Sequence, residues 1–324
     1  MAHYLVTGAA GFIASRVSEM LLAAGHRVTG VDNLNQAYDV RMKEYRLQRL
    51  MKLPDFSFMR MDVSDRQAVA ELDRLKPFDA VLNLAARAGV RAAVEDPWIF
   101  VDTNMTGTLN MLELSQRCQV PKFILASTSS IYGLDAPIPT PETASSDRPL
   151  QAYAASKKGA EALCHVYHHL YGLDVTIFRY FTVYGPAGRP DMVMFRFTQW
   201  IAENRPVHLT GDGNQSRGFT YLDDIAAGTI LGLKPLGYEI INLGGHESIT
   251  MNQLIRRLET LIREEAQVEH IPFHPADMLA NLADISKARR LLGWEPQVDL
   301  ETGMRRMVDW YMAERAWTSQ LVTK

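Results

Sequence analysis

The residues best suited to proton chemistry lie in "QAYAASKKGAE", where Tyr153 and Lys157 stand four apart and so share one face of a helix. A free phenol titrates near pKa 10 and is a poor base at neutral pH. A neighbouring ammonium stabilises the phenolate and brings it towards the range that general base catalysis requires. An ordinary surface helix would show the same spacing, so the pair needs company. It has company upstream in "ASTSSIYG" (126–133), a hydroxyl-rich run closing an apolar stretch, whose plain alternative is a solvated turn.

A second chemical feature opens the chain. In "TGAAGFIASR", Thr7 to Arg16, a short apolar run enters a glycine turn and then a helical pattern. Gly8 allows a tight turn, and Gly11 lets backbone N–H groups approach a pyrophosphate at the positive end of the following helix. Ala14 stands at the third position of the fingerprint, where the helix packs on the strand and alanine is accepted. About twenty residues on, "VTGVD" ends in Asp32, a carboxylate suited to accept from adenosine ribose hydroxyls and to repel a 2′-phosphate, which favours NAD over NADP. Asp62, in "FMRMDV", is either an adenine-edge contact or a cap or turn former, as acids at strand ends often are.

These residues need a frame to hold them. Apolar or β-branched runs recur at 4–8, 27–32, 56–63, 80–86, 122–128 and 174–181, with helical periodicity between them, as in Ile13, Val17, Met20, Leu21 and Ala24 and in the segment 104–118. Strands alternating with helices predict a parallel sheet with helices on both faces. Beyond Tyr184 the alternation fades among Gly, Pro and Asn, in "YGPAGRPDM" (184–192) and "GDGNQSRG" (211–218). The run "EIINLGG" (239–245) is expected to rejoin the sheet, and 250–266 and 300–315 to form helices. No internal repeat interrupts this plan. The expectation is an α/β chain: a Rossmann-like doubly wound parallel sheet, with a smaller C-terminal domain over the carboxyl ends of its strands.

Composition narrows the ligand. The 34 Lys+Arg and 37 Asp+Glu leave a net charge of −3, and no basic run marks a nucleic-acid or membrane footprint, so a small polar or anionic ligand is expected. Cys118 and Cys164 have no CxxC spacing, which argues against a zinc site or a disulfide framework and fits a reducing cytoplasm. No metal is expected. The stretch "MAHYLVTGAAGF" lacks the pattern of a secretory signal, no apolar run is long enough to span a bilayer, and the expected location is the cytoplasm.

Taken in order, "TGAAGFIA", "VDNLN", "MDVSD", "LNLAA", "STSSIYG", "YAASK" and "RYFTVYGP" resemble the extended short-chain dehydrogenase/reductase superfamily, in its nucleotide-sugar epimerase/dehydratase branch. The resemblance runs from about residue 3 to "ADISKARRLLGWEP" (283–296). It implies an NAD-binding domain over 1–181, with a returning segment at about 219–245, and a mainly nucleotide-sugar-binding domain over 182–324. It implies a cofactor site of Gly8, Gly11, Phe12, Ile13, Asp32, Asn33, Asp62, Val63, Leu84, Ala85, Ala86, Asn104 and Ser127, completed by Tyr153 and Lys157. By the same resemblance Thr128 is the catalytic hydroxyl, Tyr153 the base and Lys157 its electrostatic partner. Branch members that eliminate water carry an Asp-Glu pair after this Ser/Thr, and decarboxylases carry a glutamate. Ser129 and Ser130 stand there in this chain, which speaks for a 4-epimerase that oxidises a sugar hydroxyl and returns hydride to the opposite face.

The sugar is read from departures. Galactose-type epimerases usually have "RYFN", whereas "RYFTVYGPAGRPDM" with "AARAGVR" (85–91) resembles the UDP-glucuronate 4-epimerases. The resemblance assigns Thr182, Arg189, Ser129 and Ser130 to a glucuronyl carboxylate, which guanidinium matches bidentately; the alternative for Arg189 is a loop arginine tied to Asp191. Arg217 is expected on phosphate oxygens, although Gly218 replaces the usual aspartate. Asp277 is a uridine-ribose contact or a helix cap, and Pro275 replaces a common basic residue. Competing readings are a UDP-glucose/UDP-galactose or N-acetyl 4-epimerase, a UDP-glucuronate decarboxylase, and a non-catalytic NAD-binding sensor. Relatives dimerise through helices corresponding to about 92–117 and 152–171, so a homodimer is expected.

Overall fold

The structure is a computed structural model that describes residues 1–245, 247–273 and 278–323. Through the first half, helices alternate with six strands: β1 (His3–Thr7), β2 (Arg27–Asp32), β3 (Phe56–Arg60), β4 (Ala80–Asn83), β5 (Lys122–Thr128) and β6 (Asp174–Tyr180). The second half adds β7 (Thr182–Tyr184), β8 (Val207–Thr210), β9 (Ser216–Tyr221), β10 (Tyr238–Leu243), β11 (Ser248–Thr250) and β12 (Val268–Ile271). The main sheet has the order β3-β2-β1-β4-β5-β6-β10. All its pairings are parallel. The chain winds outward from β1 to β3 and then restarts at β4, so a crevice opens between β1 and β4, where Rossmann-like sheets take their ligands.

The apolar runs read as continuous rather than alternating because the central strands are covered on both faces. All seven residues of β5 are buried. Successive side chains go to opposite sides, Val6, Leu82 and Ile124 into one apolar cluster and Leu5, Val81 and Phe123 into the other. Ala14 belongs to the first cluster and is buried beside Val6 and Val28, so its methyl group is part of the helix–strand packing.

Two helices carry the site. Phe12–Ala23 starts directly from the glycine turn, with Gly11 as its N-cap and no side chain covering its first amides. Ala152–Tyr171 is capped by the Gln151 side chain, which accepts from the Ala154 N–H at 2.9 Å, and it ends at Gly172 in the left-handed conformation. Its buried stripe of Ala154, Lys157, Ala160, Glu161, Cys164 and Tyr167 follows the spacing of one helix face.

The second half builds a three-stranded sheet, β11-β9-β7, and a two-stranded one, β12-β8. A third core joins the helices Val193–Ala202, Met251–Ile262 and Leu300–Ala313 through Phe195, Trp200, Leu254, Leu258, Met304 and Tyr311. The run 239–245 is expected to rejoin the main sheet, and β10, Tyr238–Leu243, does so as an edge strand beside β6. Among the described residues no helix is long and apolar enough to cross a membrane.

Candidate active site

A cavity of about 400 Å³ opens at the carboxyl ends of β1, β2, β4, β5 and β6, roofed by residues of the second half that include Thr182, Arg189, Arg217 and Asn281. All the residues expected at the cofactor line it except Asn104. Gly8 has φ +69°, and a Cβ there would sit 2.8 Å from Ala85 Cα, so only glycine fits between the turn and the loop after β4. The Asp32 carboxylate accepts from the Ala10 and Leu34 N–H groups at 3.2 and 2.8 Å, with Lys43 Nζ at 4.0 Å. Asp62 lines the cavity and also forms the local turn: it accepts from the Ser64 N–H at 2.9 Å and from Asn33 Nδ2 at 2.7 Å. Burial pushes its pKa up, but these hydrogen bonds outweigh it and hold the carboxyl below its ordinary value.

Asn104 sits elsewhere. It lies fully buried in a π-helical turn, Asp102–Thr106, just before the helix Gly107–Arg117. Its Oδ1 accepts from the Arg87 N–H at 2.9 Å, and its Nδ2 donates to the Arg87 carbonyl at 3.0 Å and to Ser156 Oγ at 2.9 Å. The amide therefore ties the loop after β4 to the helix that carries Tyr153 and Lys157.

Thr128 closes β5, and its Oγ1 accepts from the Ser130 N–H at 3.2 Å, starting the short 3-10 turn Ser129–Tyr132. Tyr153 and Thr128 both line the cavity. Burial raises the phenol's pKa, and the Thr128 hydroxyl and the positive charge of Arg189 oppose that rise. Lys157 is 1 % exposed, and its Nζ has no hydrogen-bond partner among the described residues. Burial brings its pKa down to about 8, against the upward pull of Cys164 and Glu161. A buried ammonium without a partner is costly unless a ligand supplies one.

Below these groups runs a network that the sequence reading did not single out. Ser127 Oγ donates to Glu161 Oε1 at 2.5 Å, and Arg179 grips the same carboxylate through Nε and Nη2 at 3.0 and 2.8 Å. Arg179 also donates to the Tyr132 hydroxyl at 3.0 Å, which in turn donates to Asn242 Oδ1 at 2.7 Å. Ser127 and Arg179 are register partners on β5 and β6, so Glu161 pins the helix of Tyr153 and Lys157 to both strands. The signal was present: Tyr153, Lys157 and Glu161 repeat at four-residue intervals.

At the other end Arg189 faces the cavity but already holds Asp191, through Nε at 3.0 Å and Nη2 at 2.5 Å, and donates to the Ala88 carbonyl at 3.3 Å. The tie to Asp191 that the sequence left open therefore exists, on a guanidinium that still lines the cavity. Burial works against its charge and Asp191 more than restores it, so its pKa lies above the ordinary value. Its guanidinium lies 5.3 Å from the Tyr38 ring centroid. Arg46 straps this loop to the glycine turn, donating to the Ala187 carbonyl at 2.9 and 2.7 Å and to the Ala10 carbonyl at 3.1 Å. Neither Tyr38 nor Arg46 carried a motif in the sequence. Ser129, Ser130, Thr182 and Arg217 line the same cavity. Asp277 and Pro275 lie outside the described residues.

The combined arrangement can remove a proton from a bound hydroxyl beside a dinucleotide turn and can meet an anion with a guanidinium and several hydroxyls. Comparison with known proteins agrees in kind. Residues 4–244 match the family model described as the NAD dependent epimerase/dehydratase family. A UDP-glucuronate 4-epimerase of Thermodesulfobacterium geofontis is 56% identical over 311 residues, covering 96% of this chain and 96% of that protein. The crystal structure of UDP-glucuronic acid 4-epimerase from Bacillus cereus in complex with UDP-glucuronic acid and NAD superposes with a TM-score of 0.90 at 35% identity, covering 96% of this chain and 99% of that one. The UDP-glucose 4-epimerase of Thermotoga maritima with UDP-glucose also gives 0.90, at 32% identity, covering 97% and 99%.

Proposed function

Because this chain belongs to the NAD dependent epimerase/dehydratase family, we propose that it interconverts UDP-glucuronate and UDP-galacturonate by inverting carbon 4 of the sugar. One observation carries the reading: a single cavity joins Thr128, Tyr153 and Lys157 to a guanidinium and three hydroxyls suited to a sugar carboxylate, those of Arg189, Thr182, Ser129 and Ser130. The residues present fit NAD. Gly8 and Gly11 leave the backbone open at a helix start, Asp32 stands at the end of β2, and Lys157 Nζ, without a hydrogen-bond partner among the described residues, offers donors to a ribose. The chemistry that bound NAD would supply here is a reversible hydride exchange with carbon 4, with no net change of the cofactor over a turnover.

The chain's own residues do the rest. Thr128 holds the 4-hydroxyl against Tyr153, which takes its proton as phenolate and returns it at the end. The Lys157 ammonium lowers the cost of that phenolate in a buried setting. Ser129 and Ser130, directly after Thr128, provide no carboxylate for elimination, so these positions favour inversion at carbon 4 over loss of water. Arg189, Thr182, Ser129 and Ser130 hold the carboxylate. The Nε–Nη2 edge of Arg189 is engaged by Asp191, so the substrate meets Nη1 or displaces Asp191. Arg217 serves the diphosphate.

Incubating the purified protein with NAD and each UDP-sugar, and identifying products by NMR, tests the assignment. Formation of UDP-galacturonate supports it, and turnover of UDP-glucose without turnover of UDP-glucuronate replaces it with the neutral-hexose reading that the Thermotoga likeness favours. The protein works as a homodimer in the cytoplasm. Exposed apolar side chains on the helical face, Val94, Trp98, Val101, Leu109, Val166 and Leu170, support that assembly, with Trp98 75 % exposed.

A further inference from the structure

Ser129 and Asn281 are 152 positions apart, yet both are buried, both line the cavity, and Asn281 Nδ2 donates to Ser129 Oγ at 3.0 Å. A serine hydroxyl has one proton to give. With an amide donating to its oxygen from one side, Ser129 keeps that proton for another acceptor, and the cavity is the space that both side chains share.

Asn281 is held in place by a departure that the sequence flagged. Gly218, on β9, donates its N–H to the Asn281 carbonyl at 2.7 Å, and Ser216 does the same to Leu279 at 2.9 Å. A Cβ on Gly218 would lie 2.9 Å from Leu282 Cδ1 and 3.3 Å from the Asn281 carbonyl oxygen. The glycine thus permits the strand-like approach of 279–282 that carries Asn281 to Ser129. On its far side the same segment is fixed by the Thr140 N–H, which donates to the Leu282 carbonyl at 2.8 Å.

We propose that Asn281, seated by Gly218, is a positioning residue for substrate selection: it aims the Ser129 O–H at the carboxylate of the sugar. The inference rests on the UDP-glucuronate reading and adds to it a residue that never touches the acid group itself. A carboxylate only accepts hydrogen bonds, so it gains most from a hydroxyl obliged to donate, whereas a neutral hydroxymethyl group can donate or accept and gains less.

The test is a double-mutant cycle on the NAD-loaded enzyme: wild type, Asn281→Ala, Ser129→Ala and the double variant, with KM and kcat for UDP-glucuronate and the inhibition constant of UDP-glucose. Asn281→Ala is expected to raise the KM for UDP-glucuronate about tenfold, the size of one hydrogen bond to a charged group, while kcat and the UDP-glucose constant each change less than about twofold. The double variant should be no worse than Ser129→Ala alone, because Asn281 acts through that hydroxyl. Asn281→Asp should lose more, since its carboxylate accepts the Ser129 hydrogen bond in place of the substrate and repels the substrate's own carboxylate. Additive losses, or an equal loss for UDP-glucose, would overturn the inference. Should Asn281→Ala not retain NAD, Gly218→Ala replaces it and should show the same selective rise; an unchanged ratio there also overturns the inference. A wild-type enzyme inert towards UDP-glucuronate would instead overturn the functional reading beneath it.

Discussion

In the proposed mechanism Lys157 sets the pH range of the site. That mechanism needs its ammonium, and burial has brought its pKa down to about 8, so the proton is lost as pH rises through that value. In turnover assays, kcat/KM should therefore fall on the alkaline side of about 8, and a rate still rising at pH 9.5 would contradict this role. Tyr153→Phe removes the proposed base and should cost about two to four orders of magnitude in kcat with NAD retained, measured by turnover and by cofactor absorbance. Arg189 makes a different prediction. Oxidation at carbon 4 of glucuronate creates a β-keto acid, which loses carbon dioxide when its carboxylate aligns with the ketone. A rigid grip on the carboxylate resists that alignment, so Arg189→Ala should release a UDP-pentose by-product, and its absence with substrate binding intact would show that the grip is irrelevant. The residues that could be read from the sequence were those whose type alone is telling, a Tyr and a Lys at helical spacing or a glycine before a helix. Asn281 could not be read that way, because its meaning comes from a contact across 152 positions.

The helix Ala152–Tyr171 acts as a rigid rack. Tyr153 and Lys157 occupy its first turns, and Glu161 bolts it to β5 through Ser127 and to β6 through Arg179. Both side chains of the Glu161–Arg179 pair are 3 % exposed, so breaking it leaves a buried guanidinium uncompensated. Glu161→Gln should cost about 3–5 kcal/mol of stability by denaturant titration. It also removes an anion that holds the Lys157 proton, so the alkaline limb of the pH profile should move to lower pH. A stable variant with an unmoved limb would deny Glu161 both roles. Elements of this kind were legible: the predicted runs 27–32 and 122–128 coincide with β2 and β5, because strands buried on both faces advertise themselves as apolar runs. β8 and β12 were not legible. Each has four residues, and in β12 Val268, Glu269 and His270 are exposed, so no pattern set them apart from loop.

At the scale of the molecule, the cavity exists because two parts of the chain meet over the carboxyl ends of one sheet. Arg46 joins them, touching the glycine turn and the Arg189 loop at once, so these two walls of the cavity are fixed relative to each other. The doubly wound sheet could be anticipated from alternating runs alone. The placement of the second half over the carboxyl ends of the strands was anticipated too, but the contacts that fix it were not, because a side chain such as Arg46, which reaches the Ala10 and Ala187 carbonyls, stands in no motif. Assembly is the other property of the whole. Trp98→Asp, placing a charge on the exposed apolar helical face, should convert the proposed homodimer to a monomer in light scattering, and an unchanged mass would place the interface elsewhere. The most direct test of the whole scheme is to supply UDP-glucuronate deuterated at carbon 4 and follow the label by mass spectrometry and NMR. Hydride that leaves and returns within one closed site predicts UDP-galacturonate with the deuterium still at carbon 4; label washed into water, or no UDP-galacturonate at all, would contradict it.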